Sequence, residues 1–347
     1  MPDVEVIAPN FKKRLSGVTS TIIQLVPVQR RMGVGIVTLG PGLPDNLPKM
    51  RWGDVASLWR RPAGGNHRIW HARRNNEMLF GVVLRDVLRM PIKLLFTSAA
   101  QRFHSGYTRF LISRMDAVVA TSSGSGAFLK VPHTVVLHGI DTTVFHPPET
   151  ADDTIAAAGL PGRHLIGCFG RIRHQKGTDL FVRAMIALLP RFPDWTAVIS
   201  GRVTPEHRGF ADALKADIAA AGLSDRIVFL GEVDDIKPWY RRLSLYVAPS
   251  RNEGFGLTPL EAMASQTAVI ASTAGAYSEM IVAGQTGAVV PAGDFEALRD
   301  AVLPYFADPA LADRHGHNAL RHVRENFALE GEASALNAIY QGLLGKR

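Results

Sequence analysis

The sequence predicts an α/β chain of two domains, each built on a parallel sheet. Three observations predict it. The chain has 347 residues, more than one hydrophobic core usually spans. Strand-sized apolar runs alternate with helix-period segments in two successive series, the pattern of parallel sheets with crossover helices. The polar, proline-bearing segment His146-Pro147-Pro148-Glu149-Thr150 lies between the series and reads as a linker. The expected domains are therefore residues 1–148 and 149–325, followed by a last segment, 326–347.

The first series opens with an apolar run at 4–8 that stops at Pro9, a first strand. Residues 17–32 carry Val18, Ile22, Leu25, Val26 and Met32 at helical spacing despite Pro27. A second strand is expected at 35–39. The Pro-, Gly- and Asn-rich stretch 41–66 reads as mostly irregular, with a short segment at 55–59. A brief strand at 69–71 leads into a helix at 75–89, stopped before Pro91. The runs 93–97 and 117–121 read as buried parallel strands, and 135–138 as the last of this half.

The second series has strands at 165–169, 197–200, 227–229, 245–248, 268–271 and 287–290. Helices are expected between them at 178–189, 209–221, 236–241, 258–265 and 277–283, and a final one at 329–344. Sheets of this kind bind ligands beyond the carboxyl ends of their strands, so a cleft between the halves is the expected site.

Charge is unevenly placed. Residues 1–150 hold 19 Lys and Arg against 9 Asp and Glu, while the remainder holds 20 against 22. Part of the excess is clustered, as Lys12-Lys13-Arg14, Arg30-Arg31, Arg60-Arg61 and Arg73-Arg74. The excess fits a polyanionic partner such as an anionic membrane surface or a phosphorylated acceptor; it also fits a merely soluble basic surface. No recognisable nucleic-acid module accompanies it, so nucleic acid is not an expected partner. The apolar runs are far shorter than a membrane span, and the N-terminal residues lack the pattern of a signal peptide. The single cysteine, Cys168, cannot pair within the chain and reads as a small core residue in a reduced, cytoplasmic setting.

Two constellations carry candidate chemistry. Arg251-Asn-Glu-Gly-Phe-Gly-Leu-Thr-Pro-Leu-Glu261 places Glu253 and Glu261 eight positions apart, around a glycine turn that enters a helix. Free backbone N–H groups at such a turn suit a phosphate or a polar hydroxyl. Upstream, Gly170-Arg171-Ile-Arg-His-Gln-Lys176-Gly177 follows a strand and sets two cations in a loop entering a helix. Arg as a planar fork and Lys as a point charge suit a diphosphate; two solvated loop cations are the bland alternative. No dinucleotide-binding or P-loop glycine pattern is present, and no His, Cys or Asp cluster has metal-ligand spacing. Neither a metal nor a cofactor is therefore expected.

These motifs in order, with Gly275-Ala-Tyr-Ser-Glu279, Gly284-Gln-Thr-Gly287 and Val136-Leu-His-Gly-Ile-Asp141, resemble the retaining family 4 glycosyltransferases. The resemblance implies the GT-B fold, two Rossmann-like parallel-sheet domains facing a central cleft, with a last helix crossing back to the N-terminal domain. It implies that Arg171 and Lys176 neutralise the donor diphosphate and that Glu253 meets the donor sugar. Gly170 belongs to the same loop. Gly254, Phe255 and Gly256 would contact the sugar through backbone N–H groups, and Leu257 and Thr258 the phosphates. Glu261 would hold the ribose hydroxyls, and Gly17, in Ser16-Gly17-Val18, would let the backbone approach the diphosphate.

One departure lies on the acceptor side. Many relatives carry a histidine where this chain reads Thr97-Ser98-Ala99-Ala100-Gln101-Arg102-Phe103-His104. Gln101, Arg102 and His104 are the acceptor-side candidates there. A second polar tract adds His71, Arg73 and Arg74; a capped, solvated helix start at Asn75 is the alternative reading. The N-terminal half is similar to bacterial lipopolysaccharide-core mannosyltransferases, which implies GDP-mannose as donor and an anionic Kdo-lipid A core as acceptor at the inner face of the cytoplasmic membrane. Two rivals stay open: a same-fold transferase using a UDP-hexose or UDP-N-acetylhexosamine, and a non-catalytic nucleotide-sugar or membrane-binding protein.

Overall fold

The computed structural model describes residues 3–13 and 17–345. Arg14 and Ser16, both part of motifs named above, lie outside the described residues. The chain divides into two compact units, Met1–Gly139 with Leu329–Arg347, and Ile140–Ala328.

The first unit runs β1 (Val6–Pro9), α1 (Gly17–Arg31), β2 (Ile36–Leu39), β3 (Lys49–Met50), β4 (Arg68–Ala72), α2 (Asn75–Val82) and β5 (Ile92–Ser98). It continues with α3 (Gly106–Ser113), β6 (Ala117–Ala120), α4 (Ser123–Gly126) and β7 (Thr134–Val135). Among the described residues its strands form one parallel sheet, in the order β3-β2-β1-β4-β5-β6-β7. The chain steps away from β1 in opposite directions, first to β2 and later to β4. Right-handed crossovers then send α1 to one face of the sheet and α2 and α3 to the other. The cores agree: Ile22 and Leu25 of α1 share a cluster with Ile36 and Ile69, whereas Met78 of α2 and Leu111 of α3 share one with Trp70 and Leu94. The central strands are buried on both faces, which is why they read as unbroken apolar runs.

The second unit runs β8 (His164–Phe169), α5 (Thr178–Leu188), β9 (Trp195–Ser200), α6 (Arg208–Ala220), β10 (Ile227–Gly231), α7 (Lys237–Arg242) and β11 (Leu245–Ala248). Then come α8 (Thr258–Ala264), β12 (Ala268–Ser272), α9 (Tyr277–Met280), β13 (Gly287–Val290), α10 (Phe295–Ala307) and α11 (Pro309–Asn326). Its described strands form a parallel sheet in the order β10-β9-β8-β11-β12-β13. A last helix, α12 (Leu329–Leu344), returns to the first unit, where Leu336 and Tyr340 join the α1 core and Asn337 Oδ1 accepts from Gln29 at 3.2 Å.

Several expectations are corrected. Residues 146–150 are not a linker, because the division comes earlier, after Gly139. Ile140 N already donates to Phe327 O at 2.8 Å, and Phe145 is buried with its ring on Tyr240. Beyond it Arg241 pairs with Asp153 at 2.5 Å, so packing holds this whole segment in the second unit. The helix expected at 75–89 is α2 followed by a wider π turn at Val83–Val87, and Arg89 ends it at a positive φ of 53°. The stretch read as mostly irregular contains β3, and its expected short segment at 55–59 is part of a 3-10 segment, Trp52–Trp59. The helices α3, α10 and α11 carry no expectation above. In α11 the buried positions include Ala312, His315, Gly316 and Ala319, small or polar residues that give little apolar signal.

Candidate functional site

Each sheet has one place where the chain leaves neighbouring strands in opposite directions. In the second unit it lies between β8 and β11, and the two loops leaving their carboxyl ends are the two motifs singled out above. Parallel sheets of this kind form their binding crevice at such a point.

Glycine lets the two loops meet. Gly177 has φ +72°, and a β-carbon there would fall 1.9 Å from Pro249 O at the exit of β11. Arg251 then clamps the pair. Its guanidinium grips Asp179 with two bonds of 2.7 Å, donates to His174 O at 2.7 Å, and its own N–H donates to Gln175 O at 2.9 Å. Burial works against the Asp179 charge, yet the Arg251 fork holds that carboxyl below its ordinary value. Neither Arg251 nor Asp179 was expected to matter. The only sequence signal was the position of Arg251 two residues before Glu253.

Inside this frame Lys176 Nζ forms an ion pair with Glu253 Oε2. Glu253 Oε1 accepts from the Gly254 N–H at 3.2 Å. Arg171 stands exposed one residue past Gly170, whose φ of +138° turns the chain off β8. A pocket at the base of the crevice is lined by Gly170, Arg171, Lys176, Ser250, Thr258 and Tyr277, among others. Cys168 also borders it, but burial pushes its thiol up to about 12, which removes it as a nucleophile.

The glycine turn packs on a second turn. Gly256 has φ +86°, and a β-carbon there would meet the Tyr277 ring at 2.4 Å. Ala276 N donates to Phe255 O at 3.1 Å, and Phe255 is buried. Leu257 and Thr258 follow at the start of α8, half-buried. Glu261 lies in that helix, also half-buried, and accepts from the buried Tyr240 hydroxyl at 2.7 Å. Burial raises the Glu261 carboxyl above its ordinary value, with the Tyr240 bond and Lys176 opposing. All the expected donor-side residues except Gly17 are thus in the second unit. Gly17 is exposed at the first position of α1, with open space where a β-carbon would stand.

The corresponding point of the first unit lies between β1 and β4. Here Arg74 is spent on structure. It pairs with Glu77 at 2.6 Å and donates to Asn10 Oδ1 at 2.9 Å and Thr19 Oγ1 at 3.1 Å. Glu77 is fully buried and also accepts from Arg73 N at 2.8 Å and Phe11 N at 3.3 Å. The capped helix start at Asn75 is corrected too: Asn75 Nδ2 donates to Thr108 Oγ1 at 2.8 Å, and Arg74 is the cap residue without a side-chain bond to the helix.

His71 is likewise inside the unit. Its ring lies between the Tyr340 hydroxyl and Thr97 Oγ1, each at 2.7 Å, and burial holds the imidazole well below its ordinary value. A neutral, enclosed His71 offers no surface cation to an acceptor. Arg73 is half-buried beside it, donating to His71 O at 3.2 Å. Gln101 reaches Ser122 Oγ at 3.3 Å, Arg102 is exposed, and His104 is half-buried with its Nε2 shut away from solvent and unbonded among the described residues. The cap of α3 is Ser105, which accepts from Thr108 N at 3.2 Å.

Comparison with known proteins adds the chemistry that such a crevice can serve. Residues 163–308 match the family model described as glycosyl transferases group 1. The lipopolysaccharide core biosynthesis mannosyltransferase LpcC of Rhizobium leguminosarum bv. viciae is 71% identical over 99% of this chain and 97% of its own length. The lipopolysaccharide core biosynthesis mannosyltransferase LpsB of Rhizobium meliloti (strain 1021) is 55% identical over 99% of this chain and 98% of its own. Among solved structures, Anabaena HepE in complex with UDP and glucose superposes with a TM-score of 0.82 at 17% identity, covering 98% of this chain and all of that one. At that identity the likeness is one of fold, the two Rossmann-like domains of the GT-B class.

Proposed function

Because this chain belongs to the lipopolysaccharide core mannosyltransferases of glycosyl transferase group 1, we propose that it transfers mannose from GDP-mannose, with retention, to an anionic Kdo-lipid A type acceptor. The observation that carries the donor side is the gathering of Arg171, Lys176 and Glu253 at the β8/β11 crevice.

Breaking a glycosyl–phosphate bond leaves an oxocarbenium-like sugar and a diphosphate of growing negative charge. Arg171 and Lys176 are the cations that would meet that charge, and fixed cations act most strongly where charge develops. Lys176 is paired with Glu253. An arriving diphosphate offers Lys176 a more highly charged partner. The exchange releases the Glu253 carboxylate to accept hydrogen bonds from the sugar hydroxyls. Glu261 would hold the ribose, with Tyr240 fixing its carboxylate from behind. The glycine turn at Gly254–Phe255–Gly256 would lie against the sugar, Leu257 and Thr258 near the phosphates, and Gly17 beside the diphosphate.

In this reading Glu253 is not a nucleophile. A leaving phosphate oxygen takes the acceptor proton on the same face of the sugar. A covalent glycosyl adduct on Glu253, detected by mass spectrometry, would replace this route with a double displacement. The acceptor side falls to Arg73, Gln101, Arg102 and His104. The diphosphate charge is met by protein cations, so neither a metal nor a cofactor has a part; chelation with EDTA should leave the rate unchanged.

Among the described residues no helix is long and apolar enough to cross a membrane. The basic first half fits peripheral contact with an anionic membrane at its cytoplasmic face. The test is a donor panel on Kdo-lipid A: GDP-mannose, UDP-glucose, UDP-galactose and UDP-N-acetylglucosamine. Turnover is expected with GDP-mannose. Faster turnover with a UDP-sugar would overturn the donor assignment.

A further inference from the structure

We propose that the outward face of α2, its π turn and α3 docks on an anionic lipid surface. The proposal rests on the lipid-linked acceptor read above, but its binding assay needs neither donor nor acceptor.

Topology brings the elements together. The chain steps from β4 to β5 to β6 in one direction, so both crossovers lie on the same side of the sheet. They run side by side and are tied at both ends. Asn75 Nδ2 donates to Thr108 Oγ1 at 2.8 Å near their starts, and Arg85 donates to Arg114 O at 2.7 Å near their ends. Each buries one side: Met78 and Leu84 from the first, Leu111 and Ile112 from the second.

The opposite side is unusually apolar for a surface. Val83 and Val87 recur at a spacing of four on the first element, and Val87 is 68% exposed. Tyr107 and Phe110 project from the second and Phe103 from the loop just before it, with Phe103 72% and Phe110 59% exposed. Trp59 extends the patch by donating its Nε1 proton to Leu88 O at 2.8 Å while its ring stays half in water. Among the described residues none of these side chains belongs to the buried core; the Phe103 ring rests against Phe128. Exposed aromatics in a contiguous group mark an interaction surface, and the lipid–water boundary is a favoured place for them.

Charge selects the partner. Between residues 79 and 116 six Lys and Arg stand against two Asp. Both acids are already occupied: Asp86 pairs with Arg85 and Arg114, and Asp116 with Arg85 and Lys93. Arg89, Arg102 and Arg109 remain exposed around the apolar patch. An apolar face with exposed arginines on the same stretch of chain matches an anionic leaflet, in which aromatics enter the headgroup boundary and arginines meet phosphates. The patch also begins one residue beyond Arg102, in the loop assigned to the acceptor.

The experiment is co-sedimentation of the full chain with vesicles of phosphatidylcholine, with or without phosphatidylglycerol. Binding is expected only where phosphatidylglycerol is present, and it should weaken as salt rises. The double variant Tyr107→Ser, Phe110→Ser should bind roughly tenfold or more weakly. Arg89→Gln with Arg109→Gln should lose about fivefold per arginine at low salt. Both variants should melt like the parent and keep full transfer to a water-soluble fragment of the acceptor. The proposal is overturned if the parent does not pellet with anionic vesicles, or if the aromatic variant pellets equally well. It is also overturned if the parent is an oligomer that the aromatic substitutions dissociate, because the face would then be a protein interface.

Discussion

The two sheets are built alike, and each opens a crevice where the chain leaves neighbouring strands in opposite directions, yet the two crevices are filled differently. Between β1 and β4 the polar groups are turned on one another: Glu77 is wholly buried and takes Arg74, the Arg73 N–H and the Phe11 N–H. Between β8 and β11 the side chain of Glu253 keeps 18% of its surface exposed, and its partner Lys176 keeps 22%. Among the described residues, one of the Glu253 oxygens meets only the adjoining Gly254 N–H. Arg171 stands in solvent beside them. A buried pair whose carboxylate takes three donors is a structural plug, whereas a reachable pair can exchange partners with a ligand. The same topology thus gives one closed end and one reachable end.

The largest effect should come from the open end. Lys176→Ala or Arg171→Ala should lower kcat by roughly 100- to 1000-fold, the scale for removing one charge-stabilising donor. The melting temperature should hardly change, because surface-reachable ion pairs contribute little to stability. Steady-state kinetics beside a thermal melt separates the two. A large loss of stability with unchanged kcat per folded molecule would make Lys176 a plug like Arg74.

The closed end should give the opposite signature. Glu77→Gln leaves the Arg74 guanidinium without its buried counter-charge, and loss of one partner of such a pair costs about 3 kcal/mol. Denaturant unfolding should report that loss, while donor KM for the folded fraction stays near the parent value. Equal stability of Glu77→Gln and parent would show that the pair is not holding the first crevice shut.

This contrast also explains what was legible in the sequence. The second crevice is made of local motifs: Gly170 to Gly177 and Arg251 to Glu261 are short stretches in which residue type, glycine and spacing lie side by side. The strands around them are buried on both faces and read as plain apolar runs. The fate of the first crevice depends on partners far along the chain. His71 looks like a surface ligand until Tyr340, 269 residues later, covers it from α12. Arg74 looks like an acceptor cation until Asn10 and Thr19 arrive from the β1 exit and α1. Arg251 was hidden for the same reason, since its partner Asp179 lies 72 residues upstream. The linker reading failed because proline-rich composition says nothing of Phe145 packing on Tyr240.

The smallest effect tests how far the second crevice is tuned. Glu261 is held by Tyr240 on one oxygen, and burial raises its carboxyl above its ordinary value. A raised carboxyl is protonated at a higher pH than an exposed one, so ribose binding should begin to fail while ordinary carboxylates are still charged. Nucleotide affinity should therefore fall on acidification with a midpoint above the usual carboxylate range. Glu261→Gln removes the charge at every pH. It should weaken binding about tenfold near neutrality, the order of one charge-assisted hydrogen bond, and flatten the pH profile over the acid limb. Isothermal titration with the nucleoside diphosphate across pH measures both. A parent profile that tracks the variant would mean that Glu261 does not meet the nucleotide and that Tyr240 is its whole purpose. A variant that keeps the acid limb would assign the titration to another group.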